Sequence, residues 1–213
     1  MIFRVRRVAR LNGALETMML SAVIATHDSQ RALVPTLACL VPGVTTGILR
    51  DVIVADAGSS DQTAEVADIA GCRLIVAPGS LGARFKAAAH ATRGQWVLFL
   101  RAGVVLEGSW VAEAVRFIGD SEASPNARAA ILRPAAPGGS MRPAWSEIFA
   151  LLRLALGRGT ASEQALLIGK SFYRQIGGHS NEDEPETELL RRLGSRRTLV
   201  LRCVAPPVRQ AIA

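Results

Sequence analysis

Lysine is nearly missing from this chain: of 25 basic residues only Lys86 and Lys170 are lysines, and the rest are arginines. Aromatic residues are scarce at 5%, so aliphatic side chains and alanine must fill the core. There are three cysteines, Cys39, Cys72 and Cys203. They are odd in number, far apart and set in apolar surroundings, which reads as reduced thiols rather than a disulfide framework or a metal site. That points to a reducing compartment and a cytoplasmic protein. No apolar run reaches the roughly 18 residues that span a bilayer. The basic start lacks a long apolar stretch and a cleavage signal, so it is a poor signal peptide. No G-x-x-x-x-G-K-[ST] and no G-x-G-x-x-G follows a strand pattern, which argues against P-loop and dinucleotide-binding chemistry. His27, His90 and His179 are not at metal-ligand spacing.

What is present is an ordinary globular composition: 213 residues, 49% apolar, 20% charged, with a net charge of +7. The length suits one domain with a sizeable core. The arginines are scattered, apart from Arg4, Arg6, Arg7 and Arg10. A nucleic-acid binder would concentrate its charge on one face, so no nucleic-acid partner is expected. Anionic substrates and anionic lipid surfaces remain compatible with the charge. Residues 1–19 read as a basic N-terminal extension, either a mobile arm or the product of an upstream start codon. Mass spectrometry of the native protein separates the two. Residues 20–213 read as a single domain.

Strand and helix signals alternate from Leu20. LSAVIAT (Leu20–Thr26) is a strand, followed by a helix carrying Leu33, Leu37 and Leu40, capped by Asp28 or Ser29 and ended by Pro42-Gly43. DVIVAD (Asp51–Asp56) is the second strand, β-branched and apolar as in a sheet covered on both faces. AGSS is a turn, and Asp61 to Ala70 a helix capped by Ser60 or Asp61 and stopped by Gly71. RLIVAP (Arg73–Pro78), an alanine-rich helix, QWVLFL (Gln95–Leu100) and a helix over Trp110–Ile118 complete four β-then-α units. The expected fold is therefore α/β: a doubly wound, mostly parallel sheet with helices on both faces. In the second half Ala129–Leu132 and Ala165–Ile168 read as strands, and Ser171–Ile176 as a short helix. Pro185–Leu193 is a charged helix and Thr198–Val204 a last strand. Ser121–Asn126 and Pro134–Pro143 read as loops. Trp145–Leu156 is an apolar helix, either buried in the core or lying on a membrane.

In such sheets ligands bind at the carboxyl ends of the strands. Those ends are His27-Asp28, Asp56-Ala57-Gly58, Pro78-Gly79 and Arg101-Ala102-Gly103. A carboxylate at a strand end, Asp56, can accept hydrogen bonds from a base or ribose. Ala57, Gly58, Ser59 and Ser60 are small enough to let a ligand approach. Asp56 could also simply close the turn, and Asp61 simply cap the helix.

VIVADAGSSDQT is similar to the V-D-x-G-S-x-D-x-T segment of family-2 glycosyltransferases, which have a GT-A fold. SAVIATHDS resembles their first strand, VVIPTxNE. GARFKAAAHATRGQWVLFLRAG resembles their R-x-x-x-x-N-x-G-x-x-x-A-x-G-x-x-x-x-F-L-x-A-D stretch. SEQALLIGKSFYRQIGGHSNEDEPETELLRRLG is similar to their acceptor half. The resemblance runs from about Leu20 to Val204, and it implies a nucleotide-binding half over 20–120 and an acceptor half over 121–213 of the single domain. It implies transfer of a sugar from a nucleotide-diphosphate donor to an acceptor, with inversion. It implies Asp56 at the base or ribose, Thr26 and Asp28 lining the same pocket with Gly58, Ser59 and Asp61, and Arg84 facing the phosphates or merely solvated.

Two departures stand beside these matches. The family's metal-binding carboxylates follow the fourth strand and hold Mg²⁺ or Mn²⁺, which want carboxylate oxygens. Here Arg101-Ala102-Gly103 occupies that place, with Gly103 where the Asp is expected and no carboxylate before Glu107. Arg101 could supply the positive charge, since a guanidinium binds phosphate bidentately. The catalytic base of the family is an Asp at the start of a late helix. The best register offers Glu186, with Glu182-Asp183 or Glu184 in a shifted one, and a solvated acidic helix start as the plain alternative. The rival to an enzyme is an inactive pseudo-glycosyltransferase that binds a nucleotide or a partner. A peripheral position on the inner face of the plasma membrane, through the basic N-terminus and the Trp145 helix, is a further expectation.

Overall fold

The computed structural model describes residues 19–132, 164–181 and 184–201. Its elements run in order β1 (Leu20–Thr26), α1 (Gln30–Thr45), β2 (Leu49–Asp56), α2 (Thr63–Ile69), β3 (Arg73–Val76), α3 (Leu81–Ala91), β4 (Trp96–Arg101), α4 (Trp110–Glu122), β5 (Ala129–Leu132), β6 (Ala165–Gly169), α5 (Lys170–Gln175), α6 (Pro185–Leu193) and β7 (Thr198–Leu201). The seven strands form one sheet in the order β3-β2-β1-β4-β6-β5-β7. Only β6 runs against the others, pairing antiparallel with both β4 and β5. The expected doubly wound, mostly parallel sheet is what the chain forms.

Alternation along each strand sends side chains to two separate cores. Ala22, Ile24, Val54, Leu98 and Leu100 pack with Leu33 and Leu40 of α1, Ala67 of α2 and Trp110 and Ile118 of α4. Val23, Ala25, Ile53, Val97 and Phe99 pack with Phe85 of α3, Phe172 and Tyr173 of α5 and Leu189 of α6. Each fully buried large side chain contributes about 1.5–3 kcal/mol, so both faces are held independently. All seven residues of β1 are buried, which is why this strand is apolar but for Ser21 and Thr26, whose hydroxyls donate to Asp51 and Asp56.

Boundaries move where packing outweighs local signals. Helix α1 does not end at Pro42-Gly43 but runs to Thr45, through Pro35 and Pro42. The Trp110 ring lies against Gly43, where a Cβ would come within 2.7 Å of it. The indole N–H also donates to the Cys39 carbonyl at 2.8 Å. This contact holds the last turn although proline weakens it. Helix α4 runs on to Glu122, so Ser121 lies in helix rather than in the expected loop. Helix α2 begins at Thr63, not Asp61. The Pro134–Pro143 link, the Trp145–Leu156 helix, Cys203 and the 1–19 extension up to residue 18 lie outside the described residues. Cys39 and Cys72 are unbridged, and burial pushes both thiols up from their ordinary value.

The order β3-β2-β1-β4 means that chain direction across the sheet reverses between β1 and β4. Crossovers on either side of that point leave a crevice beyond the strand ends. The C-terminal ends of β1, β2 and β4 open into it.

Candidate active site

Two loops line one side of the crevice, and they are laced together. Asp56 ends β2 and is 2% exposed. Its Oδ1 accepts from the Thr26 hydroxyl at 2.7 Å and the Ser59 hydroxyl at 2.5 Å. Its Oδ2 accepts from the Gly58 and Ser59 backbone N–H groups at 2.9 and 2.6 Å. Four donors match the roughly four lone-pair sites of a carboxylate. Burial pushes the Asp56 carboxyl up, but donation from Ser59, Thr26 and Gly58 outweighs it and holds the group below its ordinary value.

Asp28 closes the lacing from the other loop. Its N–H donates to Ser59 Oγ at 2.9 Å, and its Oδ1 accepts from Ser60 N–H at 2.7 Å. The residue sits at φ 45°, the only non-glycine with positive φ among the described residues. The Ser60 N–H is the main cause of its lowered pKa. Asp61 caps two helices at once: Oδ1 accepts from Thr63 N–H at 3.0 Å, and Oδ2 from Gln30 N–H at 3.0 Å. Hydrogen bonds from the Thr63 hydroxyl and then the Gln30 N–H lower its pKa. Neither Asp28 nor Ser29 caps α1 as expected. Ser29 Oγ turns back to the His27 carbonyl at 2.9 Å, and the Ser29 N–H donates to Thr63 Oγ1 at 2.9 Å. Helix α1 is thus capped from the neighbouring loop.

The other side of the crevice is cationic. Arg101, the last residue of β4, grips Glu186 in the first turn of α6 through two parallel bonds: Nε donates to Oε1 at 2.6 Å and Nη2 to Oε2. The Arg101 side chain is 35% exposed and that of Glu186 14%. Arg84, on α3, donates from Nη1 to the Gly79 carbonyl at 2.9 Å, and its buried Nε has no partner. Burial lowers the Arg84 pKa; the field of Asp56 opposes this and that of Arg101 adds to it. Two guanidiniums therefore share one neighbourhood, within the field of Asp56.

Gly103, where the resemblance expects a carboxylate, adopts φ +99°. Its N–H donates to Thr36 Oγ1 at 2.9 Å and to the Ala32 carbonyl at 3.1 Å. An aspartate there would carry the strain of left-handed backbone. Among the described residues no three His, Cys, Asp or Glu side chains are grouped to hold a metal ion. The nearest carboxylates are committed elsewhere, Asp56 to four donors and Glu186 to Arg101. The Mg²⁺ or Mn²⁺ that the fold family implies does not fit this donor set.

The sequence-predicted residues Thr26, Asp28, Asp56, Gly58, Ser59 and Asp61 thus form one hydrogen-bonded unit, and Arg101 and Glu186 form a second. Glu184 is exposed at the N-cap position of α6, while Glu182 and Asp183 lie outside the described residues. Sequence reading missed His179 and Gln164. His179 is fully buried, stacked 4.6 Å from Phe85 and 4.8 Å from Phe99. It lines a small cavity with Gln164 and Glu186. Screening histidines for metal spacing could not find it, because its partners are aromatic.

Solved structures with this fold are glycosyltransferases of the GT-A class. Residues 1–349 of TarS from S. aureus superpose with a TM-score of 0.63 at 17% identity, over 88% of this chain and 59% of that one. Glucosyl-3-phosphoglycerate synthase from Mycobacterium tuberculosis, solved with Mn²⁺, UDP and glucosyl-3-phosphoglycerate, gives 0.63 at 18%, over 91% and 74%. A mannosyltransferase from Pyrobaculum calidifontis, solved with GDP-Man and Mn²⁺, gives 0.63 at 15%, over 89% and 55%. The chain thus spans less than two thirds of the TarS and mannosyltransferase structures. The model of the family described as glycosyl transferase family 2 matches residues 21–149, more than half of the chain. The chain belongs to that family. No curated protein sequence matches it. No helix among the described residues is long and apolar enough to cross a membrane.

Proposed function

We propose that this glycosyltransferase-family protein binds a nucleotide-diphosphate sugar at the switch point between β1 and β4 and transfers the sugar, with inversion, to an acceptor held on the α6 side. The observation that carries this is the pairing of two guanidiniums, Arg84 and Arg101, beside a loop unit built on Asp56. The diphosphate meets Arg101 and Arg84, and their charge takes the place of the family's metal. The base or ribose meets the loops around Gly58 and Ser59. Two of the four donors on Asp56 are hydroxyls, Thr26 Oγ and Ser59 Oγ, which can rotate away. A ligand N–H or O–H replaces one of them while the backbone donors keep the carboxylate in place.

Glu186 is the base of this reading. With no ligand bound, Arg101 occupies both of its oxygens. A diphosphate drawn to Arg101 competes for the guanidinium and releases the carboxylate. Glu186 then takes the proton of the acceptor hydroxyl as that oxygen bonds to the anomeric carbon. The bond from the anomeric carbon to the diphosphate breaks, and the arginines stabilise the departing charge. The alternative, an inactive nucleotide- or partner-binding module, is favoured by one feature, the bidentate Arg101–Glu186 pair that covers the only base in the best register. Thermal-shift and turnover assays with UDP-glucose and GDP-mannose, with and without Mn²⁺, separate the readings. Binding with UDP or GDP release supports the enzyme. Binding without release supports the module, and no shift with any donor overturns the nucleotide site.

The membrane part of the reading rests on Arg4, Arg6, Arg7 and Arg10. It predicts flotation with anionic vesicles, and a chain that stays at the bottom of the gradient overturns it.

A further inference from the structure

His179 is a buried group beside the crevice whose chemistry neither the laced loops nor the arginine clasp uses. Its Nδ1 lies 2.8 Å from the Tyr173 hydroxyl, and its own backbone N–H donates to that hydroxyl oxygen at 3.1 Å. The phenol therefore accepts from the backbone, and its single proton is free to be donated to Nδ1. A neutral imidazole with Nδ1 as acceptor carries its proton on Nε2. Burial keeps the ring neutral, helped by the fields of Arg192, Lys86 and Arg101; its pKa is pushed down to about 3.

Among the described residues the Nε2 edge has no partner. His179 and Gln164 both line the cavity beside Glu186, Leu190 and Phe99, and Gln164 Oε1 is also buried and unpartnered. The cavity measures about 20 Å³, and roughly 10–15 Å³ is enough for one water molecule that has polar partners. A buried donor and a buried acceptor left without partners would each cost on the order of a full hydrogen bond. His179, Gln164 and Glu186 all line one water-sized space, and a water there would accept from the imidazole and donate to the amide oxygen and the carboxylate.

We propose that His179 is a positioning residue for Glu186, acting through a single water shared by His179 Nε2–H, Gln164 Oε1 and the Glu186 carboxylate. The inference rests on the reading of Glu186 as the base. When Arg101 turns to the donor diphosphate, this water-mediated contact keeps the carboxylate aimed while it waits for the acceptor proton. Tyr173 sets the tautomer that makes this contact a donated hydrogen bond.

Long-range ¹⁵N–¹H NMR on the histidine-labelled full chain tests the geometry without any substrate. His179 should show the Nε2–H tautomer and stay neutral at pH 5. Its Nε2 resonance should move in Glu186→Gln and in Gln164→Leu. An Nδ1–H tautomer, or an Nε2 signal indifferent to both variants, overturns the proposal. Turnover, read as UDP release from UDP-glucose, adds the functional arm. His179→Phe keeps the aromatic packing and should lower kcat about tenfold with KM for the donor unchanged. His179→Gln, which retains a donor at the Nε2 position, should restore most of kcat. If Glu186→Ala removes turnover but His179→Phe leaves kcat intact, the positioning role fails and the base role stands. If Glu186→Ala leaves turnover intact, the base role fails, and the NMR coupling decides the His179 contact separately.

Discussion

The two walls of the crevice are built on opposite principles. On the β1–β2 wall the three carboxylates are spent inside the protein: Asp56 takes four donors, Asp28 bridges two loops and Asp61 caps two helices. On the β4–α6 wall charge is held provisionally. Among the described residues Arg101 has only Glu186, Arg84 has only a carbonyl, and His179 and Gln164 keep buried atoms unpaired. A wall whose carboxylates are held by backbone donors keeps its shape while a ligand displaces a hydroxyl. A wall whose charges are paired only with each other can exchange partners when an anion arrives. The proposed function accordingly puts binding geometry on the first wall and chemistry on the second.

The comparison breaks hardest at Glu186. Glu186→Ala should lower kcat by roughly 10²–10⁴-fold, the usual weight of a general base, while nucleotide binding persists. Release of UDP from UDP-glucose reads the first and calorimetry the second. Next is the pH dependence of His179. Its ordinary value is 6.5 and the folded value about 3, so the unfolded chain takes a proton as pH falls through 6.5 and the folded chain does not. Stability must therefore drop between pH 6.5 and 3, by on the order of 4 kcal/mol. Urea unfolding at several pH values should show that slope flattened in His179→Phe.

On the first wall the effects are on folding rather than turnover. Asp56→Ala leaves two backbone N–H groups and two hydroxyls without their acceptor and should cost about 2–3 kcal/mol by denaturant unfolding. Because Asp56, Asp28 and Asp61 all lie below their ordinary 3.8 in the folded chain, their contribution is present above that value and is lost as pH falls below it. The smallest expected effect is Thr63→Val. It removes the hydroxyl that accepts from Ser29 N–H at 2.9 Å, a cap worth about 1 kcal/mol, and leaves Glu186 chemistry untouched.

The sequence carried the first wall further than the second. The four strands of the first half, β5 over Ala129–Leu132 and α6 over Pro185–Leu193 follow from runs of apolar residues and from a Pro-led charged helix, signals that are local; the order of the strands in the sheet is not. The role of Asp61 as a cap was also readable, but its second client, the Gln30 N–H, was not, because that contact joins loops 31 residues apart. Helix α1 outlasting Pro42 depends on Trp110, which lies far along the chain. The Arg101–Glu186 clasp spans 85 residues. Each residue could be singled out, but no pattern in the chain says that one holds the other. His179 stayed hidden for the same reason: its meaning comes from Tyr173, Gln164 and a cavity, none of which has a spacing rule.

The central claim is that arginine has taken over the work of the metal on the second wall. Calorimetry of UDP binding, in Mn²⁺ and in EDTA, on the wild-type chain and on Arg101→Ala tests it most directly. The account predicts equal affinity in Mn²⁺ and EDTA, and an affinity about 10- to 100-fold weaker in Arg101→Ala, the weight of a charge-assisted bidentate contact. Binding that appears only with Mn²⁺, or that is unchanged in Arg101→Ala, would contradict it.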